Sequence, residues 1–367
     1  MIVNAGLRYD FYNPHDMAFT NPFDPLNSPA LKTATFSQLS PRVGVSHPID
    51  ERTALHFSYG HFFERGPFGD YGEGTSNDQS RGSLTTFIVD GTTTPWVLGN
   101  RNTKPQKTVA YEVGIERNIA ENYVAEVTAY YKDITNTIRV VTVESPIGVY
   151  RTNGNGDYAD VRGFELSLRE LPARESWGST WGYANFTTQF GIDGRSGDPV
   201  VISPTGVRYA PSGDFIVHND PRLKAGFYYK TPDGLDLFNG LLRDIQISFD
   251  YQAVYPNDQI FGDFFLFNGK KYLRAADKNA NLKISKEVRF LSDRLKMSGY
   301  AEIDNLFNDK WINFGAFERA SPADQEKFTT SNFEYIPSTD ASGVPILDMA
   351  KYRNLPRSVF LGVTVGF

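Results

Sequence analysis

Cysteine is absent from all 367 residues. Disulfide frameworks, thiolate zinc sites and cysteine nucleophiles are therefore excluded, and the absence suits either the cytosol or an export route that avoids stray oxidation. No apolar run approaches the roughly 18 to 20 residues that a membrane-spanning helix needs. With 40% hydrophobic residues and a mean hydropathy of -0.39, the chain reads at first as soluble rather than as a helical membrane protein. Neither a lysine nor an arginine cluster is present to track phosphates, and the formal charge is -6, so nucleic acid is not an expected partner. The start, MIVNAGLRYDFYNP, has no basic segment followed by an apolar core and a cleavage site. Either the protein stays inside or the beginning of the chain is missing. Helical periodicity is also nearly absent.

What is abundant favours strands and turns: aromatic residues reach 14%, with 28 Phe and 20 Tyr, beside 32 Gly. Alternation starts at Val3, Ala5, Leu7 and Tyr9 and recurs along the chain. In TVAYEVGIER, Val109, Tyr111, Val113 and Ile115 share a face; in YVAEVTAYYK, Tyr123, Ala125, Val127, Ala129 and Tyr131 do. LKAGFYY places Leu223, Ala225, Phe227 and Tyr229 together. IQISFDYQAVY aligns Ile245, Ile247, Phe249, Tyr251, Ala253 and Tyr255, and SVFLGVTVGF aligns Val359, Leu361, Val363, Val365 and Phe367. None of these positions is charged, although charged residues are 22% of the chain. Something apolar covers that side. A soluble sandwich core would exclude charge as well as lipid does, so alternation alone leaves both open.

The connections discriminate. PIDER, IAEN, LPARES and LSDRL read as short turns closing hairpins, and a moderate link joins 221–231 to 244–256. Between the hairpins lie long polar stretches at 64–106, 135–157, 191–220, 257–277 and 309–355. Successive connections of an antiparallel sheet go to opposite ends, so one end is trimmed and the other carries large loops. That asymmetry is expected of outer-membrane barrels, and strands of ten to thirteen residues suit a tilted crossing of about 9 to 11. Spanning sheets must satisfy every backbone group internally, and a Lys or Arg at mid-depth on the lipid side costs roughly 2–4 kcal/mol. The opposite face carries Glu112, Glu116, Glu126, Lys132, Glu165, Arg169, Asp250, Glu302 and Asp304, which a wet lumen tolerates. The expected fold is all-β, an antiparallel transmembrane β-barrel with about twelve strands present.

No residue pattern predicts catalysis, a metal site or a cofactor. The histidines at 15, 47, 56, 61 and 218 lack the His-Glu-x-x-His spacing, and His56 and His61 fall on opposite faces. HFSYG lacks the Gly-x-Ser-x-Gly elbow and reads as strand. DKNANLKISKEV starts like a calcium loop, but Leu282 and Val288 occupy the positions of its glycine and glutamate. NGNGDYAD, 153–160, is an oxygen-rich turn built from ordinary turn formers. Phe68, Tyr71, Trp96 and Trp311, in the long loops, are candidate extracellular ligand contacts, with plain loop packing as the alternative.

SPRVGVSHPIDERTALHFSYGHFFERGPF (40–68), KPQKTVAYEVGIERNIAENYVAEVTAYYKDITNTI (104–138), DYADVRGFELSL (157–168), EIDNLFN (302–308) and the terminal SVFLGVTVGF together resemble TonB-dependent outer-membrane receptors, most closely the barrels of Oar-like receptors. The resemblance implies a barrel of about 22 strands, of which 1–367 is the C-terminal part, with the plug domain and signal peptide absent. It implies residence in the bacterial outer membrane, contact with outer-membrane lipid, and coupling to the TonB complex only through that missing N-terminal plug. It also implies that Val363, Val365 and Phe367 form the signal read by the barrel assembly machinery, a role compatible with lipid packing. The implied function is energised uptake of a siderophore, cobalamin, glycan or peptide, without enzymatic activity. A reduced twelve-strand barrel closing on itself as a passive pore or adhesin is the alternative, and a membrane-bound hydrolase a distant third.

Overall fold

Alternating sequence becomes paired strand in a computed structural model of the chain, which describes all residues except 14–16, 20, 22, 25–26, 28, 65–74, 77–96, 99–102, 147, 157, 195–197, 212–214, 220, 236–237, 258–262, 291–294 and 367. Twelve long strands follow one another along a single antiparallel path. They are β1 (Ile2–Tyr12), β2 (Phe36–Asp50), β3 (Thr53–Glu64), β4 (Gln106–Ala120), β5 (Tyr123–Thr135) and β6 (Tyr158–Glu175). Then come β7 (Gly178–Gly194), β8 (Arg222–Lys230), β9 (Ile245–Val254), β10 (Asp277–Phe290), β11 (Leu295–Asp304) and β12 (Ser358–Gly366). Each pairs with its sequence neighbours along this path, β7 also takes the short strand Phe215–Asn219, and among the described residues β1 and β12 lie at opposite edges without pairing to each other. The self-closing twelve-strand cylinder is thereby corrected: the sheet is open.

Register keeps the two faces apart across every ladder. Val43 opposes Tyr59, Tyr59 opposes Tyr111 and Tyr111 opposes Tyr131. At the other side Phe227 opposes Phe249, Phe249 opposes Leu282 and Leu282 opposes Ile303. Because the side-chain period is two, one slip would have exchanged the faces. The apolar side chains so collected are open: Val113 and Ile115 are each 46% exposed, Val127 51% and Leu361 79%. A sandwich would bury them, so they meet a non-aqueous exterior. Charges on this outer face stand near strand ends, among them Lys107, Arg117, Asp133, Asp160, Lys278 and Lys286.

Short connections do lie at one end, at Glu51–Arg52, Glu121–Asn122 and Ser176–Trp177. LPARES is a correction: β6 runs on through it to Glu175, shifting register between Glu170 and Ala173, and turns only at Ser176–Trp177. A bulge accommodates the extra residue there without ending the ladder. LSDRL lies outside the described residues apart from its last leucine, where β11 begins.

The long loops are more ordered than their polarity predicts. Hairpin Ile138–Ser145/Gly148–Asn155 and hairpin Pro199–Ser203/Gly206–Tyr209 join the pieces Val97–Leu98 and Thr75–Ser76 in a separate six-stranded sheet. The last loop contains a helix, α1 (Pro322–Thr330), contrary to the near absence of helical pattern. Most of the large buried apolar side chains belong to these loops: Val141, Val143, Phe314, Phe317 and Phe328 are all at most 1% exposed. The molecule thus has packed cores beyond the membrane and an exposed apolar band within it.

Candidate functional site: the ionic face and the loop end

Residues on the inner face satisfy one another across strands. Arg169 donates to Glu116 at 2.9 Å and lies 3.6 Å from Glu126; Lys283 pairs with Glu302 at 2.8 Å. Tyr228 donates its hydroxyl to Asp250 at 2.7 Å, Tyr130 to Gln189 at 3.2 Å, and Ser167 to Asn185 at 2.8 Å. The Tyr228 ring stacks on Trp181 at 5.6 Å. A cleft of about 480 Å³ opens on this wall, lined among others by Glu126, Glu165, Thr187, Arg222 and Lys224. Thr187 opposes Glu165 on one side and Arg222 on the other, so one row across β6, β7 and β8 passes from acid through hydroxyl to base. Such a wall holds water and polar groups. Among the described residues, no three His, Asp or Glu side chains converge as a metal site would require.

On the outer face, rings mark two levels. Tyr59, Tyr111 and Tyr131 form a ladder toward the loop end, with centroids 5.1 and 6.4 Å apart. Trp177 stacks on Tyr229 at 5.8 Å at the opposite rim. These are the amphipathic positions of a bilayer interface. His61 bonds Tyr59 at 2.5 Å on this face, whereas His56 falls on the inner one, as their odd spacing required.

Two loops build a lobe at the loop end of the sheet. Phe265 from one packs edge-on against Phe314 and Phe328 from the other, at 5.8 and 5.4 Å. Buried Arg274 bonds Asp263 at 2.7 Å and also pairs with Asp277, while Arg353 approaches Asp263 at 3.6 Å. Asn305 ties the stems, donating to the carbonyls of Asp309 at 2.9 Å and Leu355 at 3.1 Å. In the six-stranded loop sheet, Arg139 joins Asp198 at 3.1 Å and also Asp193, and burial pushes the Tyr150 phenol up to about 12.

Of the aromatic contacts read from the sequence, Trp311 is a latch: its backbone N–H donates to Asn354 at 2.9 Å and its indole N–H to the Lys278 carbonyl at 2.8 Å. Phe68, Tyr71 and Trp96 lie outside the described residues, as does Phe367. Val363 and Val365 are open on the outer face of β12, opposite Gly299 and Met297. Asn153 and Asn155 belong to a loop strand rather than a free turn, and Asn155 donates to the carbonyls of Lys104 and Asn136. The missed features are α1 and the loop sheet. Ser321-Pro322 ahead of Asp324 was a readable helix start.

A sheet that is apolar outside and ionic inside, with tight turns at one end and folded loops at the other, is the wall of an outer-membrane β-barrel. Residues 2–331 match the family described as TonB dependent receptor-like, beta-barrel, and the chain belongs to it. Proteins of this family reside in the bacterial outer membrane, and this one does too. Similar solved structures include the copper transporter OprC, with 16% identity and a TM-score of 0.51 over 99% of this chain and 45% of that one. The FrpB iron transporter from Neisseria meningitidis has 14% identity and a TM-score of 0.52 over 98% and 42%. The outer membrane transporter YddB from Escherichia coli has 12% identity and a TM-score of 0.52 over 90% and 41%. The chain thus spans less than half the length of these proteins. No curated protein matches it.

Proposed function

We propose that residues 1–367 are the C-terminal part of the barrel of a receptor for energised uptake of a scarce ligand, a siderophore, cobalamin, glycan or peptide, and that they act with a plug domain. One observation carries this reading: the sheet is that of a TonB-dependent receptor barrel, yet β1 and β12 do not meet. A wall of this kind needs further strands before it can enclose a path. Nearby structures that transport copper and iron make a metal-bearing ligand a natural first choice to assay. The quoted sequence stretches favour the Oar-like branch. The inner face then receives the plug, TonB acts through that plug, and the role is transport rather than catalysis.

Val363, Val365 and Phe367 serve in this reading as the mark for the barrel assembly machinery. The loop aromatics Phe68, Tyr71, Trp96 and Trp311 contact the ligand in this reading, Trp311 from the stem that its indole N–H latches to Lys278. A passive pore complete in itself is less well supported, because it would require the two sheet edges to pair. Uptake is measured with cells bearing or lacking a functional TonB system, using ferric and cupric chelates, cobalamin, oligosaccharides and peptides. Saturable uptake lost with TonB is expected. Uptake of equal rate without TonB would overturn the energised reading.

A further inference from the structure

At the trimmed end of the sheet, the connection from β8 to β9 is the odd one. It runs from Thr231 to Asp244 where Glu51–Arg52, Glu121–Asn122 and Ser176–Trp177 suffice elsewhere. Three successive residues in it are left-handed, Phe238 at φ 53°, Asn239 at 58° and Gly240 at 74°. An aromatic residue rarely adopts that region unless its surroundings hold it there. They do: Leu241 N–H donates to the Phe238 carbonyl at 3.2 Å, Arg243 N–H to Gly240 at 3.1 Å, and Lys286 Nζ to the Gly240 carbonyl at 3.0 Å and also to that of Leu241. The result is to present Phe238, 76% exposed, and Leu241, 64% exposed.

The surroundings say what meets them. Lys286 opposes Ile245 and shares the outer, lipid-facing side of β10 with Leu282 and Ile284. On the neighbouring turn, exposed Trp177 stacks on Tyr229, also an outer-face residue, whose hydroxyl donates to the Trp177 carbonyl at 2.6 Å. Ion pairs knit the two turns: Arg174 and Lys230 to Asp233 at 3.0 and 2.9 Å, and Lys230 to Asp244 at 3.0 Å. The outer face thus reaches this rim at Tyr229 and Lys286, while Arg243 and Asp244 at the far end of the connection line a cleft with inner-face Gln246 and Ser285.

We propose that the 238–241 turn is a lipid anchor in the periplasmic leaflet, with Phe238 and Leu241 reaching into the acyl boundary. Exposed apolar side chains at the rim of a barrel have this interfacial preference. A periplasmic protein is the competing occupant, and continuity with the lipid-facing band favours lipid.

The test uses the absence of native cysteine. Phe238→Cys, Leu241→Cys and Gly234→Cys are each made in the full-length receptor, nitroxide-labelled, and reconstituted in phosphatidylethanolamine/phosphatidylglycerol bilayers. Heat-modifiable migration checks folding; should Phe238→Cys fail it, Leu241→Cys carries the measurement. Labels at 238 and 241 are expected to be at least threefold more accessible to oxygen, relative to a water-soluble nickel chelate, than the label at 234. Equal ratios at all three sites would overturn the proposal. So would labels at 238 and 241 that become shielded from both reagents only when periplasmic extract is added.

Discussion

Gly163 on β6 stands where three strands crowd: a Cβ there would lie 2.4 Å from the Thr188 carbonyl oxygen and 2.8 Å from the Tyr130 hydroxyl. A tyrosine tip can swing away, but a ladder carbonyl cannot. Gly163→Val is therefore expected to cost about 1–3 kcal/mol, the usual range for overpacking, read as a lower urea midpoint for the heat-modifiable form. Asp324 illustrates a titrating residue at the same scale. Its carboxylate accepts from the Tyr335 hydroxyl at 2.6 Å and from Ser321 Oγ at 2.7 Å. These bonds hold it below its ordinary value of 3.8, and the Tyr335 phenol is pushed up in return. A depressed folded value means the contribution is complete above the ordinary value and disappears as pH falls through the folded one. Proteolysis near α1 should accelerate only in that acid window, and Asp324→Asn should remove the dependence; a pH profile unchanged by the substitution would refute it.

For a single strand, the physical question is which of its two sides meets lipid. On β9, Phe249 is an outer-face residue and Ser248, one step away, an inner-face one. Phe249→Arg is expected to destabilise the membrane-inserted fold by about 2–4 kcal/mol, while Ser248→Arg costs much less because water reaches it. Urea titration in lipid vesicles measures both. Equal losses would mean that the faces have been assigned wrongly. The same period of two makes most strands legible in the sequence alone, since each carries its own record of the two environments. The LPARES segment was misread because proline and polar residues at a bulge look like a turn. α1, only Pro322–Thr330, is too short to establish a helical period, and its cap at Ser321 was the one available signal.

At the scale of the molecule, the distribution of burial is inverted relative to a soluble domain. Phe314, Phe317 and Phe328 are closed off in the lobe, whereas Leu7, Val127 and Leu361 are more than half exposed on the wall, at 67%, 51% and 79%. Removal of amphiphile from the purified chain should accordingly cause aggregation, seen as loss of the monodisperse species on sedimentation. A stable monomer in plain buffer would contradict the membrane assignment. Lobe and loop sheet also explain why functional residues resisted identification. Trp311 looked like an exposed ring in a polar loop, yet its partners Asn354 and Lys278 lie far along the chain.

Sequence by itself determined the strands, the separation of an apolar from an ionic face, and the alternation of short with long connections. All three are local: a side chain's direction repeats every two residues, and a turn is encoded by the few residues that make it. Only the tertiary structure decided that β1 and β12 remain apart, and that Phe265 meets Phe314 and Phe328 across two loops. It likewise decided that Ile138–Ser145 pairs in parallel with Pro199–Ser203. Those arrangements join segments distant in the chain, where the energy of contact depends on partners that neither segment specifies alone.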